Sequence, residues 1–594
     1  MIHNFMTIII KKIRIYYLVL VLVVIIIPII HYPRIYGVDS FQVIWMANAL
    51  RNGALFSDNT WLIHPASYFG YYPFSHRAIG VPMILAFLIS FLNFISFGGF
   101  GLTEAILAFD IMLILIIYKS SRNLGNRLFK EEWSRFIFVA AMLLSPNIIY
   151  DTTMTVSTRI IITIIMILLL NINLKILTAT RVNKIKSIFF LFLILIVGAL
   201  AHRLWMGTVI TIIFMVTTFF IRKYEKLQHL TVLLILPLSI IALFFGLEFF
   251  WSEKSNLFGE GATFLEISTF LITYFGFWTG LISIFFPIGF MITLYKFTFT
   301  FKNNNAFKTS KKKNSELNIS NQDFFDKFYY LLLFFIPFLY LIFTYFYALT
   351  IFLPILIIFS IQGLIFFKEF ISNVYKKLGF NFKNLTFSHI SVNPHKLKKV
   401  FWLIAIPISF LAYSEINIEI SRIDVISNDY PWENRYLTNE EIEIIDYFQN
   451  EEINGLIFCA AGIHISERIG GVGFLPTFSG STIIGIPLFY GLINPSYVHE
   501  NAKLSLSELF RFNFYTYNEI NPIEVLVNAI KTLDLRNGED FHALVSYNVQ
   551  YIISINSTFQ SSGPNNWLLI QSLQLSDLFE PVFSTQHLLV WKIF

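Results

Sequence analysis

Long apolar runs, separated by short polar or basic segments, fill the larger, N-terminal part of this sequence. A helix needs about 20 apolar residues to cross a bilayer. Candidate spans lie at 13–30, 103–118, 136–150, 159–174, 187–201, 205–221, 231–250, 267–294, 328–345, 350–367 and 399–413. The pattern predicts a polytopic α-helical membrane region over residues 1–413 with about eleven spans. Hydropathy falls after that, so residues 414–594 are expected to form a water-soluble domain.

The composition supports a membrane protein and argues against a nucleic-acid-binding protein and against one held together by disulfides or a cysteine-bound zinc ion. The 594 residues are 56% hydrophobic and 13% charged, whereas about a quarter of the residues in a soluble protein are charged. The formal charge of +6 comes from Lys and Arg in loops between apolar runs, which is typical of cytoplasmic loops and not of a nucleic-acid-binding face. A single cysteine, Cys459, excludes an intrachain disulfide and a cysteine-based zinc cluster.

The apolar stretch 79–98 decides the orientation of the chain. The strongly basic loops are 119–135, 175–186, 222–230, 296–327 and 368–398. If 79–98 does not cross the membrane, these loops all fall on the side of Lys11 and Lys12, as the positive-inside rule requires. We therefore expect 79–98 to be an interfacial or re-entrant helix. The N-terminus is then cytoplasmic, and the outer loop 31–78 and residues 414–594 are extracytoplasmic.

Polar residues gather in the first outer loop, which contains Asp39, His64, His76 and Arg77. Asp39 opens a segment, 39–53, whose apolar residues have helical spacing. It is either a helix N-cap or a general base whose pKa is raised by partial desolvation at the membrane surface. His76 and Arg77 are either interfacial anchors or a binding site for a lipid phosphate.

Two further outward positions carry charges beside apolar runs. Asp151 and Arg159 border the second outer loop, and the alternative to a functional role is snorkelling at the membrane interface. His202 and Arg203 occupy a turn between two spans with almost no loop. Because a guanidinium stays charged and offers a bidentate fork, Arg203 is the strongest candidate for gripping an anionic lipid headgroup. A plain topological hinge is the alternative.

The order of these elements over residues 13–225 resembles the GT-C superfamily of membrane glycosyltransferases, especially its protein mannosyltransferase and lipid A aminoarabinose transferase branch. The first helix motif of that family corresponds here to Asp39, Trp45, Ala47, Leu50 and Gly53. The motifs that follow it are Tyr72-Pro73, the helix 79–98, the turn Leu124–Phe129, Leu144-Ser145-Pro146, the loop from Asp151 to Arg159, and His202-Arg203.

The resemblance implies an inverting transfer of a sugar from a polyprenyl- or dolichyl-phosphate carrier to a glycan, lipid or protein acceptor on the outer face. Asp39 would take the proton of the acceptor hydroxyl, and Arg203 would neutralise the leaving lipid phosphate. The residues implied to contact the sugar or the phosphate are His202, His64, His76, Arg77, Asp151 and Arg159.

No cofactor and no catalytic metal are expected, with the lipid-phosphate-linked sugar as the donor substrate. Residues 151–153 are Asp-Thr-Thr and depart from the metal-binding Asp-x-Asp of the oligosaccharyltransferase branch. Residues 431–434, Pro-Trp-Glu-Asn, likewise do not match that branch's Trp-Trp-Asp-Tyr-Gly motif. A lipid phosphate is already an activated leaving group, so charge neutralisation by Arg suffices.

Residues 414–594 are predicted to form an α/β or α+β domain. Thr438 and Glu441 have capping-box spacing before an amphipathic run, which predicts a helix. Strands are predicted at 456–461, 543–546, 551–555 and 588–594. The run Gly470-Gly471-Val472-Gly473 lacks the spacing of a dinucleotide-binding fingerprint and is expected to be a loop.

The alternative function is a non-catalytic membrane transporter or a flippase of lipid-linked glycans. Transporters typically contain internal repeats and broken or charged helices near mid-membrane. This sequence shows no repeat, and its unusual polar residues gather at one face. The sequence therefore favours the glycosyltransferase.

Overall fold

The chain forms two compact units. The computed structural model describes residues 15–31, 38–51, 80–178, 181–201, 275–292, 345–377, 405–417, 437–451, 453, 455–473, 475, 477–479, 488–489, 545, 549–556 and 573–594. The first unit comprises Met1–Ile27, Ile111–Asp151 and Arg159–Glu419. The second unit comprises Pro28–Asp110, Thr152–Thr158 and Ile420–Phe594. Segments from both predicted outer loops therefore belong to the same compact unit as the C-terminal residues.

Helices make up the described N-terminal region. They are α1 (Ile15–His31), α2 (Val38–Arg51), α3 (Gly80–Ile95), α4 (Leu102–Leu128), α5 (Glu132–Leu143), α6 (Pro146–Ile149), α7 (Arg159–Thr178), α8 (Arg181–Ala201) and α9 (Tyr345–Lys377). A π-helix, Tyr150–Met154, follows α6, and further helices lie at Leu281–Ile292 and 405–417. The predicted spans 205–221 and 231–250 lie outside the described residues, as does nearly all of 328–345.

The predicted span 136–150 is not one straight helix. Glu132–Leu143 and Pro146–Thr153 are bent by 46° at the intervening residues. Pro146 occupies the first turn of α6, where its missing N–H costs nothing, and Ser145 Oγ accepts the hydrogen bond of Ile148 N. The Leu-Ser-Pro sequence therefore ends one helix and starts the next.

Several helices present an apolar surface that a bilayer solvates. The exposed large side chains of α1 are Leu18, Val19, Leu22, Ile26 and Ile29. Those of α8 are Phe189, Phe190, Phe192, Leu193, Ile196 and Val197. A contiguous apolar surface of this kind is unfavourable in water and ordinary in lipid. The exposed faces of α1 and α8 are therefore of the kind expected for the predicted membrane helices.

Few of the described helices are long enough to cross a membrane by themselves. Leu349–Ile371, within α9, is the one described helix that is long and apolar enough to cross a membrane by itself. The bent pair Glu132–Leu143 and Pro146–Thr153 is a second if it counts as one span. The number of about eleven spans stays a prediction.

Helix α3 covers most of the predicted interfacial helix 79–98 and has two distinct faces. Val81, Leu85 and Ile89 are buried, whereas Phe87 and Phe91 are exposed and stack with ring centroids 5.7 Å apart. One face therefore packs on protein, and the other offers aromatic rings to the surroundings, as suits a helix at a membrane surface. The orientation of the chain across the membrane stays a prediction.

A close helix crossing supports the first unit. A Cβ at Gly289 would overlap the carbonyl of Phe359, and a Cβ at Gly363 would overlap the carbonyl of Phe285. Small residues allow helix backbones in membranes to approach this closely. The helix Leu281–Ile292 is therefore held directly against α9.

A six-stranded mixed sheet forms the framework of the C-terminal region. Its strands are β1 (Leu456–Cys459), β2 (Thr477–Ser479), β3 (Leu488–Phe489), β4 (Val549–Ile555), β5 (Phe579–Ser584) and β6 (Leu588–Ile593). The strand order is β3-β2-β1-β4-β6-β5. β1 is parallel to β2 and β4, and the other neighbours are antiparallel.

Two helices accompany this sheet, α10 (Asn439–Gln449) and α11 (Ile463–Gly473). The capping box predicted for α10 is present. Thr438 Oγ1 accepts from Glu441 N at 3.3 Å, and Glu441 Oε2 accepts from Thr438 N at 2.8 Å. Ile444 and Phe448 of α10 pack with Ile457 and Ile553 of the sheet in one apolar core.

Two predictions for the C-terminal region are wrong. Val545, the one described residue of the predicted strand 543–546, is helical. The run Gly470–Gly473 forms the last turn of α11 and is not a loop. Glycine normally costs about 0.5–1 kcal/mol inside a helix, so a tertiary contact has to offset it, and that contact is described below.

Candidate functional site

Helix α2 carries Asp39, the predicted general base, in its first turn. The helix begins at Val38, so Asp39 lies within the first turn and not at the N-cap position before it. The helix is buried on more than the one face that its apolar spacing predicted. The additional buried residues are Val43, Met46 and Ala47. α2 therefore belongs to the interior of the second unit.

A long-range hydrogen bond fixes the second outer segment against α2. Val156 N donates to Ser40 Oγ with an N···O distance of 2.9 Å, and Ser40 is 0% exposed. An unsatisfied buried amide costs about 1–3 kcal/mol, so this bond constrains both segments. Ser40 is directly next to Asp39 in the sequence. No local sequence pattern indicates the role of Ser40, because its hydrogen bond joins residues 116 positions apart.

Asp151 and Arg159, both predicted from the sequence, form an ion pair in the first unit. Arg159 Nη2 lies 3.5 Å from Asp151 Oδ1, and the side chains are 26% and 2% exposed, respectively. Asp151 is therefore not a snorkelling residue, because its carboxylate is withdrawn from the surface. A buried carboxylate needs a compensating charge or hydrogen bonds, and Arg159 supplies the charge.

Asp151 lies in the π-helix Tyr150–Met154, where the sequence predicted an outer loop. Such single-turn π segments are rare and occur frequently at functional sites. Residues 155–158 then continue without helical structure to Arg159, the first residue of α7. The segment 152–158 thus starts directly after Asp151 and ends directly before Arg159.

The residues before Asp151 are held by a second part of the first unit. The ring of Tyr150 meets Trp278 edge-on with centroids 5.5 Å apart. Gly280 has φ +99°, a conformation that side chains disfavour, and a Cβ there would lie 3.3 Å from Pro146 Cδ. Ser414 Oγ donates to Leu144 O. These contacts fix the turn on which Asp151 stands.

Within the second unit, α11 packs directly on α2. An ideal Cβ at Gly471 would lie 2.7 Å from Phe41 O and 2.8 Å from Phe41 Cβ. Only glycine therefore allows this approach of the two backbones. Phe41 is two residues after Asp39 in the same helix. This contact is the compensation for the glycines at the end of α11.

A fully buried ion pair fixes α11 within its own domain. Arg468 Nη2 lies 2.7 Å from Glu441 Oε1, and the two side chains are 1% and 0% exposed. Arg468 Nε also donates to both carboxylate oxygens, at 2.8 and 2.9 Å. Burial raises the pKa of Glu441, and the positive charge and hydrogen bonds of Arg468 oppose that rise. The sequence did not indicate this pair.

Five predicted site residues lie outside the described part of the chain. They are His64, His76, Arg77, His202 and Arg203. Among the residues that the structure does describe, no three His, Cys, Asp or Glu side chains form a group able to hold a metal ion.

No family model matches the chain, and no curated protein matches it in sequence. Solved structures do match. The archaeal oligosaccharyltransferase AglB from Archaeoglobus fulgidus, in complex with an inhibitory peptide and a dolichol-phosphate, is 11% identical with a TM-score of 0.45; the match covers 93% of this chain and 70% of AglB. ArnT from Cupriavidus metallidurans, in the apo state, is 11% identical with a TM-score of 0.48, covering 97% of each chain.

The arabinofuranosyltransferase AftD from Mycobacteria is 12% identical with a TM-score of 0.47, and the match covers 98% of this chain and 40% of AftD.

Proposed function

We propose that this protein is a membrane glycosyltransferase that moves a sugar from a polyprenyl- or dolichyl-phosphate carrier to an acceptor on the outer face of the membrane. The acceptor is a glycan, a lipid or a protein. In this proposal the N-terminus is cytoplasmic, and residues 414–594 form the extracytoplasmic domain. The protein's own side chains perform the reaction, without a cofactor.

The observation that carries the proposal is the hydrogen bond from Val156 N to Ser40 Oγ, 2.9 Å long. It joins the two segments that the sequence predicted to face outwards and to carry the polar residues of the site. One of them bears Asp39 beside Ser40, and the other is bordered by Asp151 and Arg159. The bond is buried and holds the backbone at Val156 against the helix that carries Asp39, as the proposal requires.

The proposed reaction is a displacement at the anomeric carbon of the donor sugar. The carboxylate of Asp39 accepts the proton of the acceptor hydroxyl, and the hydroxyl oxygen attacks the anomeric carbon. The bond between that carbon and the phosphate oxygen breaks, and the lipid phosphate leaves with the electron pair. The configuration at the anomeric carbon inverts, because the oxygen attacks from the opposite side.

Cationic side chains stabilise the leaving phosphate in this proposal. Arg203 neutralises it, since a guanidinium stays charged and binds phosphate oxygens in pairs. Arg159 has a partly exposed guanidinium beside the buried Asp151, and this pair contacts the sugar or the phosphate. His64, His76, Arg77 and His202 complete the proposed contacts with the donor.

The experiment is a transfer assay with the purified full-length protein in lipid nanodiscs. Polyprenyl and dolichyl phosphates, each bearing a radiolabelled sugar, are added together with a mixture of glycan, lipid and peptide acceptors. We expect label to leave the lipid fraction and to appear on an acceptor. In a parallel assay with sealed vesicles, translocation of an intact lipid-linked sugar without cleavage would instead identify a flippase and refute the proposal.

A further inference from the structure

Helix α11 meets α2 backbone to backbone at one point. The distance from an ideal Gly471 Cβ to Phe41 O is 2.7 Å, and to the Phe41 carbonyl carbon it is 3.0 Å. Real Cβ atoms do not approach backbone atoms this closely, so any larger residue at position 471 has to displace α2, α11 or both. Phe41 itself is 1% exposed.

Helix α11 is the less movable of the two partners. Arg468 is paired with Glu441 at 2.7 Å, and both side chains are fully buried. Thr477 Oγ1 of β2 donates to Ser466 O of α11 at 2.8 Å. Ile465 and Ile469 belong to the apolar core of the sheet domain. A displacement of α11 would disturb a buried ion pair, a buried hydrogen bond and this core together.

Helix α2 is therefore the partner that yields. Asp39, Ser40 and Phe41 occupy one helical turn, so a shift of the Phe41 backbone is transmitted to the backbone of Asp39. A misplacement of about 1 Å in an active site can reduce the rate about 100-fold. The position of α2 thus depends on the size of the side chain at position 471.

We infer that Gly471 is a positioning residue: the C-terminal domain, through the contact of Gly471 with Phe41, sets the position of the helix that carries Asp39. This inference rests on the proposed function only for its catalytic consequence. The contact and its effect on α2 stand independently of which reaction the protein performs. The C-terminal domain then takes part in shaping the site, in addition to any contact that it makes with an acceptor.

The test compares Gly471→Ala with Gly473→Ala in the full-length protein. Both substitutions add one methyl group to the last turn of α11 and change helix propensity alike. At Gly473 the new Cβ would meet side-chain atoms, Leu475 Cδ1 at 2.9 Å and Ile445 Cγ2 at 3.1 Å. Leu475 Cδ1 is the far end of a flexible side chain and can rotate away, whereas the Ile445 methyl has to give by a few tenths of an ångström. Neither residue belongs to α2, so Gly473→Ala is the matched control for the effect on α2.

Two readouts are measured for each variant. Hydrogen–deuterium exchange of the peptide covering 38–51 reports on α2, and exchange of the peptide covering 549–556 reports on the sheet. For Gly471→Ala we expect at least about tenfold faster exchange in α2, unchanged exchange in β4, and about a 10- to 100-fold lower kcat with little change in the donor KM. Gly473→Ala should leave exchange in α2 and kcat as they are in the wild type.

The outcomes separate this inference from the proposed function. If wild-type protein transfers no sugar but exchange in α2 still responds to Gly471→Ala alone, the proposed function fails and the positioning contact stands. If the wild type is active and Gly471→Ala alters neither exchange nor kcat, the inference is wrong. Equal loss of protection in α2 and β4 also overturns it, because Gly471 would then serve only the stability of the whole domain.

Discussion

Arg159 Nη2 lies 3.5 Å from Asp151 Oδ1, so the residues on either side of the segment 152–158 are paired with each other. The pair is asymmetric, because Asp151 is almost fully buried and Arg159 is one quarter exposed. A carboxylate in that position depends on its partners, whereas the guanidinium keeps access to the surface. In this arrangement the guanidinium of Arg159 is accessible to an anionic ligand, and the buried carboxylate of Asp151 orients it.

We expect Asp151 and Arg159 to be energetically coupled. A double-mutant cycle with Asp151→Asn, Arg159→Gln and the double variant should give a coupling free energy of about 0.5–3 kcal/mol in thermal unfolding. If the pair orients Arg159 for the donor, the same cycle on donor KM should also be non-additive. Strict additivity in both measurements would mean that the two side chains act independently.

Loss of the Ser40 hydroxyl should destabilise the second unit. Ser40→Ala leaves the buried amide of Val156 without its acceptor, which should lower the free energy of unfolding by about 1–3 kcal/mol. Ser409→Ala is the matched control, because Ser409 Oγ donates to Ala405 O on an exposed helix face. That control should change stability by less than about 0.5 kcal/mol. Equal effects would show that the Ser40 bond contributes nothing specific.

The buried pair of Glu441 and Arg468 should respond differently to single and double replacement. Arg468→Met leaves an uncompensated buried carboxylate and should destabilise the C-terminal domain by about 3–5 kcal/mol. Adding Glu441→Leu should recover most of this loss, less about 1 kcal/mol for the capping box that Glu441 also forms. Chemical denaturation, followed by hydrogen–deuterium exchange of the 549–556 peptide, measures the stability of the single and the double variant. A double variant less stable than Arg468→Met would contradict this account.

Acid should weaken the contact between α10 and the β5–β6 hairpin. Burial acts to raise the pKa of Glu440, but hydrogen bonds from Thr585 and His587 and the charge of His587 outweigh it, so that the pKa lies below 4.5. His587 Nδ1 and Glu440 Oε1 are 2.5 Å apart. Because the folded-state pKa is lowered, the stabilisation is complete above the ordinary value of 4.5 and is lost as the pH falls through the folded-state pKa.

Glu440→Gln should therefore lower stability at neutral pH and flatten its dependence on pH in the acid range. Exchange of the 588–593 peptide, measured as a function of pH, follows the hairpin directly. Glu443→Gln, at an exposed position of the same helix, is the control and should keep the wild-type profile. An unchanged acid profile in Glu440→Gln would remove Glu440 as the cause.

Local patterns allowed part of this structure to be predicted. The capping box at Thr438 and Glu441 is a short-range arrangement, and it is present as its spacing indicated. Strands β1, β4 and β6 lie where β-branched and aromatic runs predicted them. Asp151 and Arg159 are candidates from the sequence because they border the second outer loop beside apolar runs, and interface snorkelling is the alternative that the sequence leaves open.

Contacts between distant backbones could not be predicted in this way. The hydrogen bond between Val156 and Ser40 joins a backbone amide to a serine hydroxyl. Both groups are common in any sequence, so no residue pattern predicts that these two meet. The sequence predicts a loop at Gly471, because the run 470–473 lacks the spacing of a dinucleotide-binding fingerprint. The real role of Gly471 follows from the carbonyl of Phe41, which lies in a different part of the sequence. The helical break at Pro146, by contrast, has a signal in the sequence, because proline favours the first turn of a helix. The apolar run 136–150 nevertheless predicts a single continuous span.

The central claim is that Asp39 removes the proton of an acceptor hydroxyl, and Asp39→Asn tests it most directly. The amide has the size and shape of the carboxylate but cannot accept the proton at neutral pH. Release of radiolabelled sugar from the polyprenyl- or dolichyl-phosphate carrier is measured for both proteins in nanodiscs, with exchange of the 38–51 peptide confirming that α2 is intact. We predict a loss of transfer of at least about 100-fold with unchanged exchange. Transfer at the wild-type rate by Asp39→Asn would contradict the account.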